Sequence, residues 1–270
     1  METQERQNLA DKQRIVIKIG SSSLTHAQTG EVNLMKIEKL VRVISDLRGQ
    51  GKDVVLVSSG AIGMGVGKLH LPGRPADMPT KQAAAAIGQC ELMYLYDKLF
   101  REYNHIVAQM LITGLDFSNE ESHSNFQSTL NRLLELNVIP IINENDTIAT
   151  QEISVGDNDT MGAIVAENAQ ADLLIILSDI DGLYTGDPRN NPDAQLIDTI
   201  FSITPEIKEL AGTKGTTLGT GGMITKIHAA EIAMDAGIDM IIANGTRPEL
   251  LYKILDGDKV GTKFIGRKKG

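Results

Sequence analysis

The chain has 270 residues, of which 41% are hydrophobic and 23% charged, and a formal net charge of -9. That length can bury the core of one large α/β domain, and the acidic balance argues against a surface built to wrap nucleic acid. A single cysteine, no basic-then-apolar leader and no apolar run of bilayer length make a cytoplasmic protein without membrane partners the expectation.

The first apolar run is Ile15-Val16-Ile17-Lys18-Ile19, followed at once by Gly20 and three serines. A lysine inside such a strand needs an anionic partner. Either Lys18 points from the strand end at a phosphoryl group, with the Gly20 to Ser22 turn offering backbone donors, or it faces solvent from an edge strand. Leu34, Ile37, Leu40, Val41, Ile44 and Leu47 then keep one face at helical spacing, stopping at Gly49 and Gly51. The run Val54 to Val57 predicts a second strand that breaks into Ser58-Ser59-Gly60-Ala61 and a glycine-rich helix start. Such a turn suits a carboxylate or phosphate, though a tight strand-helix turn needs no ligand. Gly63, Gly65 and Gly67 miss the dinucleotide fingerprint spacing.

Helical patterns follow over 79–102 and 123–136, with a short strand at Ile106-Val107 between them. Cys90, beside Ala83 to Ile87, reads as a buried structural thiol. After the strand Val138 to Ile142 comes Asn143-Glu144-Asn145-Asp146-Thr147, and Gly156-Asp157-Asn158-Asp159 opens a helix over 158–169. Acidic and amide groups gathered there can grip an ammonium, order a lysine or hold Mg2+ through water. Turn and capping chemistry uses the same residue types.

The strand Leu173 to Leu177 leads into Ser178-Asp179-Ile180-Asp181-Gly182, where a nucleotide can lie, although Gly182, Gly186 and Pro188 also describe a hairpin turn. Leu218-Gly219-Thr220-Gly221-Gly222-Met223-Ile224-Thr225-Lys226 lacks the Walker A spacing, yet its amides, helix start and lysine suit polyphosphate; a ligand-free loop is the alternative. Helices over 222–236 and 247–255 flank the strand Met240 to Ile242. Strands alternating with helices predict an α/β fold, a mainly parallel sheet with helices on both faces and ligands at the strands' carboxyl ends. The expectation is one domain over 1–270, with a substrate half at about 13–170 and a nucleotide half at about 171–264.

Taken together, these segments resemble the amino-acid kinase superfamily over residues 13–264. Ser58 to Ile62, Pro140 to Asp146, Val155 to Asp159 and Gly219 to Lys226 resemble the glutamate 5-kinase family within it. The resemblance implies a three-layer α/β/α fold and transfer of the ATP γ-phosphoryl group to the side-chain carboxylate of L-glutamate, the first step of proline synthesis. It implies that Lys18 and Lys226 stabilise the phosphoryl group and Asp159 orients both lysines. By the same resemblance Ser59, Asp146 and Asn158 would bind glutamate. Lys18, Ser178, Asp179, Thr220, Gly221, Gly222, Met223, Ile224, Thr225 and Lys226 would contact ATP, which the resemblance implies arrives with Mg2+ and without a dedicated protein metal site. Proline as feedback inhibitor and glutamyl phosphate reductase as partner come with the family. So does self-association, through apolar helix faces such as that around Leu92, Met93 and Leu95. The chain ends at Gly270, which leaves no room for the C-terminal PUA domain of longer members.

The chemistry stands by itself too. A carboxylate nucleophile with pKa about 4.3 is ionised at neutral pH and needs no general base, and no histidine falls in a motif. Two rivals remain: an acetylglutamate or aspartate kinase, and a non-catalytic nucleotide sensor. The pairing of Asp146 with a free ammonium disfavours acetylglutamate, and retention of Lys18, Asp159 and Lys226 together disfavours the sensor.

Overall fold

The computed structural model describes residues 9–26, 31–149, 157–188, 190–212 and 222–267. In chain order the elements are β1 (Arg14–Ile19), α1 (Ser21–Leu24), α2 (Leu34–Gly49), β2 (Asp53–Ser58), α3 (Ala61–Lys68), α4 (Met78–Arg101), β3 (Val107–Ile112), α5 (Gly114–Ser118) and α6 (Glu120–Glu135). They continue with β4 (Ile139–Glu144), α7 (Asn158–Asn168), β5 (Leu173–Ser178), β6 (Thr199–Ile200), α8 (Pro205–Gly212), α9 (Met223–Asp235), β7 (Asp239–Asn244), α10 (Leu250–Leu255) and β8 (Thr262–Phe264). The chain divides into two units, one spanning Ile19–Gly156 and the other joining Met1–Lys18 to Asp157–Gly270.

In the Ile19–Gly156 unit the strand order is β3-β4-β2, all parallel, with Leu56 beside Ile141 and Gln109 beside Ile141 on its other flank. Val54 to Val57 are fully buried, as expected of an apolar run covered on both faces. Helix α2 buries Ile37, Leu40, Val41, Ile44 and Leu47, and Asn33 caps it by accepting from the Lys36 N–H at 3.1 Å. Helices α3 and α4 meet backbone to backbone. A Cβ added at Gly65 would lie 1.8 Å from the Ala84 carbonyl oxygen, and one at Gly88 1.8 Å from that of Ala61.

That contact sets which face of α4 is inside. Ala84, Ala85, Gly88, Gln89, Leu92, Tyr96 and Phe100 are buried. Ala83, Ala86, Ile87, Cys90 and Tyr94, on the opposite stripe, are exposed. Cys90 is therefore not the buried thiol expected, because the alanines around it line both faces of the helix and apolar neighbours alone do not choose between them. Leu92 likewise belongs to the protomer's own core, at 1% exposure, and offers nothing to a second copy.

In the other unit the strands run β1-β5-β7-β8-β6. β5 and β7 are parallel, with Ser178 beside Asn244, whereas β8 is antiparallel to β7 and parallel to β6. Gly261, at φ 71°, lets the chain turn so tightly against β7 that a Cβ there would lie 2.1 Å from the Ile242 carbonyl oxygen. The segment after β5 is hairpin-like: Tyr184 bridges Leu196, and the Thr185 N–H donates to the Gln195 carbonyl at 2.9 Å. Among the described residues no helix is long and apolar enough to cross a membrane.

Candidate active site

Lys18 is no solvent-facing edge residue. It lies in β1 with its ammonium 2.6 Å from Asp159 Oδ1, and its side chain is only 9% exposed. Lys226, in the second turn of α9, places Nζ 3.0 Å from Asp159 Oδ2 and is 5% exposed. The three motifs that carry these residues are separated by 141 and 67 positions in the chain, yet one carboxylate gathers both cations.

Local structure explains the convergence. Asp157 caps α7, its Oδ1 accepting from the Asp159 N–H at 2.8 Å and the Thr160 N–H at 2.9 Å. The capping explanation thus holds for Asp157, and it fixes the first turn so that Asp159 is free for the lysines. One turn on, Gly162 lets α7 lie against the Lys18 stem, since a Cβ there would sit 3.2 Å from Lys18 Cβ. Helix α9 packs on α7. Thr225 Oγ1 lies 2.7 Å from the Gly222 carbonyl oxygen and 2.9 Å from Asp159 Oδ2, so its one proton serves two acceptors in turn.

Burial alone would raise the Asp159 carboxyl, and that is its largest single influence. The Lys18 and Lys226 ammoniums together outweigh it and hold the carboxyl below its ordinary range. Two buried ammoniums thus share one carboxylate.

Of the other expected contacts, Ser178 ends β5, buried, with its Oγ donating to Asp179 Oδ1 at 3.1 Å; Asp179 itself is exposed. Gly222, Met223 and Ile224 form the start of α9, with Ile224 61% exposed. Thr220 and Gly221 lie outside the described residues. Ser59 is buried, its N–H donating to the Ile19 carbonyl at 3.1 Å, and Gly60 takes φ 119° before α3, a conformation that glycine alone adopts without strain. Asn158 opens α7 in the unit that holds the lysines. Asp146, in the Ile19–Gly156 unit, is half-buried. Burial first, then the neighbouring Glu144, push its carboxyl up to about 6, against the pull of the Arg74 guanidinium. Arg74 and Gln89 escaped the reading of the sequence. Gln89 had a signal, since it shares a helical face with Ala85, Leu92 and Tyr96 and is the polar member of that buried stripe.

A mainly parallel sheet with a strand lysine and a helix lysine gathered on one buried carboxylate is an arrangement suited to a phosphotransferase. The model of the amino acid kinase family matches residues 13–244, and the chain belongs to that family. It is 54% identical over 267 residues to the glutamate 5-kinase of Clostridium perfringens (strain 13 / Type A), covering 97% of this chain and 99% of that one. With the glutamate 5-kinase of Clostridium acetobutylicum it shares 53% identity over 269 residues, the whole of both chains. With that of Carboxydothermus hydrogenoformans it shares 51% over 264 residues, 98% of this chain and 71% of the relative. Among solved structures, carbamate kinase from Giardia lamblia bound to AMP-PNP superposes with TM-score 0.66 at 18% identity, covering 95% of this chain and 99% of that one. The α/β class with a mainly parallel sheet, expected from the sequence, is the fold observed.

Proposed function

We propose that this chain phosphorylates the γ-carboxylate of L-glutamate with ATP, giving L-glutamyl 5-phosphate, the first step of proline synthesis. The observation that carries the phosphoryl transfer is the buried Lys18–Asp159–Lys226 centre; the relatives of about 50% identity carry the choice of glutamate. A γ-carboxylate oxygen forms the new bond to the γ-phosphorus as the bond to the β,γ-bridging oxygen breaks, and ADP leaves with that electron pair. Lys18 and Lys226 meet the charge spread over the phosphoryl oxygens, and Asp159 fixes both in place before substrate arrives. The acceptor is already ionised, so no side chain has to remove a proton.

Ser59, Asp146 and Asn158 hold glutamate in this reading, with Asp146 taking the ammonium. Ser178, Asp179 and the residues from Thr220 to Lys226 hold ATP. Mg2+ enters with the nucleotide. Phosphate oxygens and water supply its ligands in this reading. Proline competing at the glutamate site, hand-over of the acyl phosphate to a reductase, a cytoplasmic setting and a homo-oligomer complete the reading. Sedimentation with and without proline tests the last, a monomer under both conditions removing it.

Trapping the acyl phosphate with hydroxylamine decides the substrate. Glutamate should yield hydroxamate and acetylglutamate and aspartate should not; hydroxamate from acetylglutamate alone overturns the assignment.

The Asp146 carboxyl gives a pH signature. Only its ionised form pairs with the substrate ammonium, so kcat/KM for glutamate should fall about tenfold per pH unit below pH 6. Asp146→Asn should lower kcat/KM at pH 7 and abolish that limb. Stability should move the other way. The native carboxyl lies above its ordinary value of 3.8, so the wild type loses stability as pH rises from 3.8 through 6. The neutral isostere escapes this loss. A thermal midpoint for Asp146→Asn above that of wild type at pH 7 and equal to it near pH 3.5 is the expected pattern.

A further inference from the structure

Ser58, the last residue of β2, and Asn143, the last but one of β4, lie one step beyond the pairs Leu56–Ile141 and Val57–Ile142 of two adjacent parallel strands. Helix α4 covers both ends with two polar side chains seven residues apart, hence on one face. Tyr96 Oη lies 2.8 Å from Ser58 Oγ, and Asn143 Nδ2 donates to Gln89 Oε1 at 2.9 Å. All four residues are buried.

The two contacts differ in how completely they are satisfied. The Ser58 hydroxyl donates onward to the Ser59 carbonyl at 3.1 Å, so Tyr96 donates to Ser58 and the chain of donors is closed. The amide pair is not closed. Gln89 is 7% exposed, and its Nε2 has no hydrogen-bond partner among the described residues. A buried amide donor left without an acceptor is costly, and native proteins keep few of them. Leucine or methionine would fill this stripe of α4 without that cost. The pair also leaves Asn143 Oδ1 as an acceptor at the head of the Asn143 to Asp146 turn. One open donor and one open acceptor on a single rigid amide pair match the carboxylate and ammonium of an α-amino acid.

We propose that Gln89 is a substrate-binding and specificity residue: its Nε2 donates to the α-carboxylate of the amino-acid substrate, while its Oε1 orients Asn143 toward the ammonium. This rests on glutamate being the acceptor. The rival role for Gln89 is to tie α4 to the end of β4, and that role has no preference between substrates.

Steady-state kinetics on Gln89→Met and Gln89→Glu separate the two, after the wild type has been shown to form hydroxamate from glutamate. Methionine fills the same volume without a donor, and should raise KM for glutamate about 10- to 100-fold, the range of a hydrogen bond to a charged group. Glutamate at the position still accepts from Asn143 but sets a carboxylate against a carboxylate, so its KM should rise further. KM for ATP should stay within twofold in both. Unchanged KM for glutamate in both folded variants overturns the proposal, as does an equal rise in both KM values. A wild type without glutamate hydroxamate overturns the glutamate reading itself, and this inference with it.

Discussion

Lys226→Ala and Lys18→Ala each lower kcat by about two orders of magnitude or more, the loss measured for a preorganised donor aimed at developing charge. Stability should hardly follow. Removing one lysine leaves Asp159 bonded to the other, so the buried carboxylate keeps a cationic partner. Asp159→Asn is the contrasting case, because it removes the carboxylate that both ammoniums share, and breaking a buried pair in this way costs about 3–5 kcal/mol. The three variants thus separate chemistry from folding: kcat falls in all, and the urea midpoint falls in Asp159→Asn alone. The double variant Lys18→Ala with Lys226→Ala should lose less than the product of the single losses, since the two groups act through one carboxylate. Lys226→Arg should not restore the rate, because a planar fork does not replace a point charge at 3.0 Å from Asp159 Oδ2. Wild-type kcat in both alanine variants removes the roles given to these lysines.

What could be read before the structure follows from how each feature is encoded. Lys18 announced itself because a charge inside the run Ile15 to Ile19 contradicts its surroundings, and the resolution of that contradiction is Asp159. Strand positions were legible for the same reason: buried parallel strands are continuous apolar runs, as the full burial of Val54 to Val57 and Leu173 to Leu177 shows. Sequence spacing did not show that Asp157 would take the capping duty and leave Asp159 for the lysines, since either aspartate can cap a helix. The two-residue β6 and the antiparallel β8 left no run long enough to notice, and their place depends on the turn at Gly261. Cys90 failed because burial in an alanine-rich helix is decided by the partner helix, and the close contact with α3 puts Gly88 inward.

That same contact yields a second large stability effect. Gly65→Ala and Gly88→Ala each set a methyl group 1.8 Å from a backbone carbonyl oxygen of the facing helix, Ala84 in the first case and Ala61 in the second. No rotamer change relieves a clash between a Cβ and backbone, so α3 and α4 must separate. The expected loss is at least about 3 kcal/mol, the upper part of the overpacking range. Helix propensity acts in the opposite direction, alanine being favoured over glycine by about 1 kcal/mol in a helix interior. Gly63→Ala and Gly67→Ala on the same helix meet nothing within 4 Å and so isolate that gain. In urea melts the second pair should unfold at or above the wild-type midpoint and the first pair far below it, or fail to accumulate folded. Function should follow, because α3 begins directly after the Ser59-Gly60 turn, and prising Ala61 away from Gly88 moves that turn. A folded remnant of Gly88→Ala should therefore show a raised KM for glutamate with KM for ATP near wild type. If all four alanine variants melt together, the backbone contact between α3 and α4 is not as close as 1.8 Å implies, and the inward place of Gln89 loses its cause.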